Sequence, residues 1–196
     1  MPRRHLHLAA PPDLVHRALE ELREEADIPT EPPGPVLAEA RDAADRLTAV
    51  LARAAGGDLA AADEVPSGLA RPRLVDERDL PLVTIDPPHS TDLDQAVHLA
   101  RSGDGWRIDY AIASVAEVVA PGGGLDADVH GRAVTVYGPA GSFPLHPREI
   151  SSGVCSLLPG EDRIALLWTI DLDAEGAIAD VDLRRCLVRS RAKLSY

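Results

Sequence analysis

The chain has 196 residues, a formal net charge of −12, 45% hydrophobic residues and only 3% aromatics. That length suits one large domain, or one domain with an appendage, around a core built mainly from Leu, Val, Ile and Ala. The acidity excludes a general nucleic-acid-coating surface, because phosphate backbones need cationic neutralisation, but it leaves room for a local basic track. No apolar run approaches the ~20 residues that cross a bilayer, and Met1 to His7 lack the apolar core of a signal peptide. A soluble, cytoplasmic protein is expected. Cys155 and Cys186 are the only cysteines and show no CxxC spacing, so both are expected to be reduced structural thiols. Lys193 is the only lysine among 20 Lys and Arg. With the abundance of Ala, Gly and Pro, that reads as the coding bias of a GC-rich genome, not as function.

Residues 13 to 26 predict an amphipathic helix, capped by Asp13, with Leu14, Val15, Ala18, Leu19 and Leu22 on one face. A Pro-rich break follows. Residues 36 to 55 predict a second helix with a stripe of Leu37, Ala40, Ala44, Leu47 and Leu51, stopped by Gly56-Gly57. Residues 57 to about 79 carry no clear period and read as a linker. Strands are then expected at 82 to 85, 96 to 100 and 106 to 113, the last two joined by a turn at Gly103-Asp104-Gly105. Gly122 to Gly124 reads as a loop, 125 to 132 as a short helix, and 134 to 137 as extended. Residues 147 to 157 read as a loop with a helical turn. A long hairpin closes the chain, with arms at 163 to 172 and 178 to 189 around the turn Asp173-Ala174-Glu175-Gly176.

Three carboxylates fall within nine residues in Asp86-Pro87-Pro88-His89-Ser90-Thr91-Asp92-Leu93-Asp94. In an extended backbone Asp92 and Asp94 point to the same side. The Pro-Pro pair forces a turning path that can bring Asp86 back towards them. Clustered carboxylates raise each other's pKa unless a cation sits among them, and hard cations such as Mg2+ prefer oxygen ligands. Spacing alone leaves two readings open, a Mg2+ site for phosphoryl chemistry or solvated turn residues.

Asp171, Asp173 and Glu175-Gly176 imitate the start of an EF-hand loop, with Asp182 at the twelfth position. The flanking segments are strand-like where an EF-hand needs helices, so a hairpin turn is the better reading. Arg184, Arg185, Arg189, Arg191 and Lys193 form the one basic concentration. Arg189, Arg191 and Lys193 alternate, so one strand would present them as a row, either tracking phosphates or as a solvated face. Tyr137 could stack on a nucleobase, though a half-buried core tyrosine is the commoner outcome. His89, His98, His130 and His146 lack metal-ligand spacing, and no nucleophile elbow, phosphate loop or dinucleotide fingerprint is present.

Taken together, these residues carry a likeness. The run from Leu82 to Tyr196 resembles the first part of the catalytic (RNB) domain of the ribonuclease II and ribonuclease R family. The markers are Thr84-Ile85-Asp86-Pro87-Pro88 with Asp92-Leu93-Asp94, then Tyr110-Ala111-Ile112-Ala113, and Gly131-Arg132-Ala133-Val134-Thr135-Val136-Tyr137. They continue with Phe143-Pro144-Leu145-His146-Pro147, Cys155-Ser156-Leu157-Leu158-Pro159-Gly160 with Asp162-Arg163, and Val188-Arg189-Ser190-Arg191-Ala192-Lys193-Leu194. The chain looks closest to the bacterial branch without recognisable N-terminal cold-shock domains.

The resemblance implies a Mg2+-dependent 3′→5′ exoribonuclease that converts single-stranded RNA to nucleoside monophosphates. It implies Asp86, Asp92 and Asp94 at the metal, Asp94 as the residue essential for cleavage, and Tyr137 stacking near the scissile end. Gln95 stands where the family has a fourth aspartate; its amide could ligate a cation but brings no charge. Ser114 replaces another usual aspartate. The family's later half, with an arginine and a glutamate of the active site, and the oligonucleotide-binding barrel after it are absent from these 196 residues.

The expected fold is therefore α+β, with a helical region and linker over residues 1–79 and the first part of an RNB domain over 80–196. Such a piece would leave strand edges and apolar surface uncovered, and is expected to be inactive alone. The alternative is a degenerate, non-catalytic RNA-binding module, motivated by Gln95, Ser114 and the absent half.

Overall fold

The computed structural model describes residues 12–25, 31–64, 71–138 and 141–196. Helix α1 spans Pro12–Glu25. Asp13 therefore lies inside the first turn and not at the cap, with Pro12 taking the first helical position that its fixed φ favours. Leu14 and Ala18 face solvent. Helix α2, Gly34–Ala55, starts two residues before the expected 36, because Pro35 is accepted in the first turn and Pro33 O takes the Val36 and Leu37 N–H groups. Its buried stripe is Val36, Ala40, Ala43, Leu47, Leu51 and Ala54, rotated slightly from the one expected, with Leu37 and Ala44 at its margin.

The region expected as a linker is partly built. A 3-10 turn covers Leu59–Glu64, with Ala61 and Ala62 fully buried, and strand β1, Val75–Asp76, pairs in parallel with a later strand. Neither element is long enough to show a period. Strands β2 (Val83–Ile85), β3 (Gln95–Ser102) and β4 (Gly105–Ala113) follow, then a short helix α3, Gly124–Arg132. A small separate hairpin, β5 (Val136–Gly138) and β6 (Gly141–Phe143), precedes a π-helical turn at Glu149–Val154. Strands β7 (Asp162–Leu172), β8 (Ile178–Arg189) and β9 (Ala192–Leu194) complete the chain. Gly105 is demanded by close approach, since a Cβ there would lie 1.9 Å from Leu172 O.

The seven-stranded sheet runs β1-β8-β7-β4-β3-β2-β9. Only Ser190 and Arg191 separate β8 from β9, and two residues reach no more than ~10 Å. The sheet must therefore curl until its β8 side comes round to its β9 edge. Its concave face holds one core cluster, with Leu82, Leu93, Ala96, Ala111, Leu157, Leu167 and Val188 among its members. The convex face meets α2 in a second cluster, where Leu47 and Leu51 join Leu74, Leu125, Ile150, Ile164 and Leu187. That core runs across the boundary expected at residue 79.

A buried ion pair pins the helical region to the sheet. Arg185 gives Nε and Nη2 to both Glu117 oxygens at 2.8 and 2.9 Å, and its Nη2 also reaches Ala62 O at 3.0 Å. Arg71 and the Ser114 hydroxyl complete the Glu117 shell. Serine donates there, where an aspartate would set a second carboxylate against Glu117. Beyond Arg185, the convex face is apolar and, among the described residues, only partly covered. The register aligns Leu183, Trp168, Tyr110 and Val97 in one row and Val181, Ile170, Ile108 and Leu99 in the next. Among the described residues Leu99, Leu166, Val181 and Leu183 stand exposed on this face. Among the described residues no helix is long and apolar enough to cross a membrane.

Candidate active site

The curled sheet assembles the acidic segment from both of its ends. Strand β2 lies between β3 and β9, and the Asp86 N–H donates to Leu194 O at 3.0 Å. The chain then turns through Pro87-Pro88, with Ser90 N–H returning to Pro87 O at 3.0 Å. Lys193 clamps this turn by donating Nζ to Pro88 O at 2.9 Å and Ser90 O at 2.6 Å. Leu93 is fully buried in the concave core. Anchoring the middle residue sends Asp92 and Asp94 outward together, as period-two geometry requires. Ser156 locks the arrangement, since its Oγ accepts Leu93 N–H at 3.0 Å and donates to Thr91 O at 2.8 Å. Leu157 N–H reaches Leu93 O and Ala113 N–H reaches Asp94 O, both at 2.9 Å.

The electrostatics are those of like charges held together. Partial burial, then Asp92, then Asp86 hold the Asp94 carboxyl above its ordinary range, and no basic side chain counters them. Asp94 as a residue is open to solvent, so water limits the size of this shift although the surrounding mass of protein desolvates the carboxyl. Asp86 Oδ2 is buried with no hydrogen-bond partner among the described residues, which costs on the order of 1–3 kcal/mol for such a group. Both observations suit a hard divalent cation. Among the described residues no three His, Cys, Asp or Glu side chains converge as a ready-made cage. What the chain offers is one or two carboxylates at a time, the share Mg2+ commonly takes from protein when water and substrate phosphates supply the rest.

Asp92 and Asp94 line a cleft of about 290 Å³ whose other walls include Thr135, Tyr137, His146 and Ser151. Tyr137 stands 76% exposed on β5. Ala133, at a φ of 62°, redirects the chain from α3 towards that strand. Leu145 N–H bonds Thr135 Oγ1 at 3.0 Å and ties the far wall across. Burial holds the His146 imidazole below its usual range. A second cleft of about 280 Å³ shares Asp92 and Tyr137 and adds His89 and Arg148. A larger cavity, about 500 Å³, lies elsewhere, between α2 and Gly160–Arg163.

Asp92, Asp94 and Tyr137 thus meet on one cleft, with Asp86 close enough to act on Asp94. Gln95 does not join them. It opens β3 opposite Ile112, is exposed, and lines neither cleft. The expected row of Arg189, Arg191 and Lys193 does not form, because the segment changes pairing partner at Ser190. Arg189 pairs with Asp162 at 2.6 Å beside the large cavity, Arg191 reaches Asp79 O at 2.8 Å, and Lys193 is spent on the acidic loop. The EF-hand look-alike is turn chemistry, with Asp173 Oδ1 accepting from Glu175 and Ala177 N–H. His98 bonds Asp109, and His130 bonds Asp126 O, both away from the cleft. His146 entered the sequence reading only as part of a family motif, and the cleft residue Arg148 and the locking role of Ser156 went unread. Only the inward leucine between two outward acids hinted at the scaffold.

Comparison with known proteins places this geometry. The RNB domain family matches residues 74–196. Ribonuclease R of Escherichia coli is 37% identical over 135 residues, covering 68% of this chain and 16% of that protein. Exoribonuclease 2 of Edwardsiella piscicida is 39% identical over 132 residues, covering 66% of this chain and 20% of its own length. The solved structure of Mycoplasma genitalium RNase R in complex with double-stranded RNA superposes with a TM-score of 0.62 at 29% identity, covering 68% of this chain and 24% of that one. The chain spans a quarter or less of these three relatives. It belongs to the RNB domain family, alongside proteins named ribonuclease R and exoribonuclease 2.

Proposed function

We propose that this chain carries the metal-binding half of a cytoplasmic, Mg2+-dependent 3′→5′ exoribonuclease centre acting on single-stranded RNA. The observation that carries the reading is the meeting of Asp92, Asp94 and the exposed Tyr137 on one cleft, with Asp94 raised by partial burial and by its acidic neighbours. Asp86, Asp92 and Asp94 would hold the metal one or two at a time, with water and substrate phosphates completing its shell. When bound, Mg2+ supplies charge stabilisation at the scissile phosphate and a water nucleophile of lowered pKa. Tyr137 offers its ring to the terminal base, and stacking of that kind is tolerant of sequence. Holding base and phosphate in register turns a bimolecular attack into an effectively intramolecular one. Lys193, Leu93 and Ser156 keep the acidic loop in shape without touching substrate. Gln95 leaves the site one negative charge short of the family pattern and points to weaker metal affinity.

The 196 residues alone are expected to be inactive. The partly covered convex face and the small share of the relatives' length both support a requirement for the remaining RNB portion. The test supplies that portion and follows the length of a 5′-labelled single-stranded RNA with Mg2+. Stepwise shortening from the 3′ end is expected, with a loss of about a hundredfold or more in Asp94→Asn. RNA binding with no release, in wild type and variant alike, would favour the degenerate binding module instead.

A further inference from the structure

Two adjoining clefts of opposite character share Asp92, Tyr137, Pro144 and Ser151. One contains Asp94; the other adds Arg148, His89 and the hydroxyl residues Ser90, Ser142 and Ser152. Tyr137 belongs to both, so a base stacked on it would have its flanking phosphates on either side. We propose that the second cleft is a phosphate subsite, in which Arg148 binds the RNA backbone phosphate next to the scissile one. This rests on the exoribonuclease reading and names a substrate contact for it.

Arg148 suits that task because of what holds it. It follows the buried Pro147 and precedes a turn anchored by the fully buried Ile150. The neighbouring Glu149 faces α2, where Arg41 Nε reaches it at 2.9 Å. Arg148 instead lines the cleft, exposed, with no hydrogen bond or ion pair among the described residues. Most other cations are already used, as in Arg78 on Asp76, Arg107 on Asp171, Arg185 on Glu117 and Arg189 on Asp162. In a chain of net charge −12, a polyanion approaching Asp92 and Asp94 needs a fixed cation beside them. A guanidinium matches a phosphate through two parallel donors, which an ammonium cannot reproduce.

The test is RNA binding without turnover, in the full protein with EDTA present, using a short fluorescent single-stranded oligoribonucleotide across a salt series. Arg148→Ala should weaken binding by about tenfold and flatten the slope of log K against log salt by about 0.7, the loss of one phosphate contact on a single strand. Arg148→Lys should restore the slope but only part of the affinity. An Arg148→Ala variant with unchanged affinity and slope would overturn the subsite. So would one that alters Mg2+ affinity alone, since Arg148 would then be serving Asp92. The two readings fail separately. A flattened slope together with no turnover by either wild type or Asp94→Asn leaves the subsite standing and removes the exoribonuclease assignment. An unchanged slope with a dead Asp94→Asn does the reverse.

Discussion

Two stretches of this chain look alike on paper, Asp86 to Asp94 and Asp171 to Asp182, yet the fold treats them in opposite ways. In the second, three of the carboxylates are already used. Asp171 takes a two-pronged contact from Arg107 at 2.8 and 2.7 Å, which holds its carboxyl below the ordinary range. Asp173 closes the hairpin turn, and Asp182 lies 3.0 Å from Arg184 Nε. In the first, burial and two acidic neighbours push Asp94 up, and Asp86 Oδ2 has no partner among the described residues. Carboxylates that already have partners gain little from a cation, whereas repelling ones gain much. The spacing of acids therefore matters less than whether the protein has already paired them.

The scaffold that keeps the first cluster unpaired should be the costliest part to disturb. Leu93→Ala removes a fully buried side chain from between the two acids and should cost about 3 kcal/mol in urea unfolding. It should also lower RNA turnover in the completed domain, because Asp92 and Asp94 lose their shared anchor. Turnover at the wild-type level in that variant would separate the loop's shape from its chemistry. In the second cluster, Asp173→Ala should cost about 1 kcal/mol through the two lost turn hydrogen bonds, seen as a lowered Tm, with RNA turnover untouched.

The smallest effect concerns pH. A carboxyl whose folded pKa is raised disfavours the fold once pH rises past its unfolded value, and this penalty disappears as pH falls below that value. Asp94→Asn should therefore raise the Tm of the metal-free chain at neutral pH, with the difference vanishing below about pH 4. Adding Mg2+ should raise the wild-type Tm and leave the variant unmoved. A variant less stable than wild type at neutral pH would show that Asp94 is favourably paired, as Asp171 is.

The parts legible in the sequence are those governed by local rules. Helix α2 and the β3–β4 and β7–β8 hairpins announce themselves through period and turn residues. Strands β1 and β9 have two or three residues each, and their existence depends on partners far along the chain. The basic row failed for that reason, since alternation from Arg189 to Lys193 presumes one strand where the sheet needs two. Asp86, Asp92, Asp94 and Tyr137 were readable because their motifs are contiguous. Ser156 and Arg148 were not, because they reach the acidic loop only through the curl of the sheet.

The most direct measurement is paramagnetic broadening by Mn2+, standing in for Mg2+, on the amide NMR spectrum of the chain. Broadening centred on residues 86 to 94 and reaching 137 and 146, abolished by Asp94→Asn and unchanged by Asp171→Asn, is the predicted result. Broadening centred on 171 to 182, or a pattern indifferent to Asp94→Asn, would contradict the account.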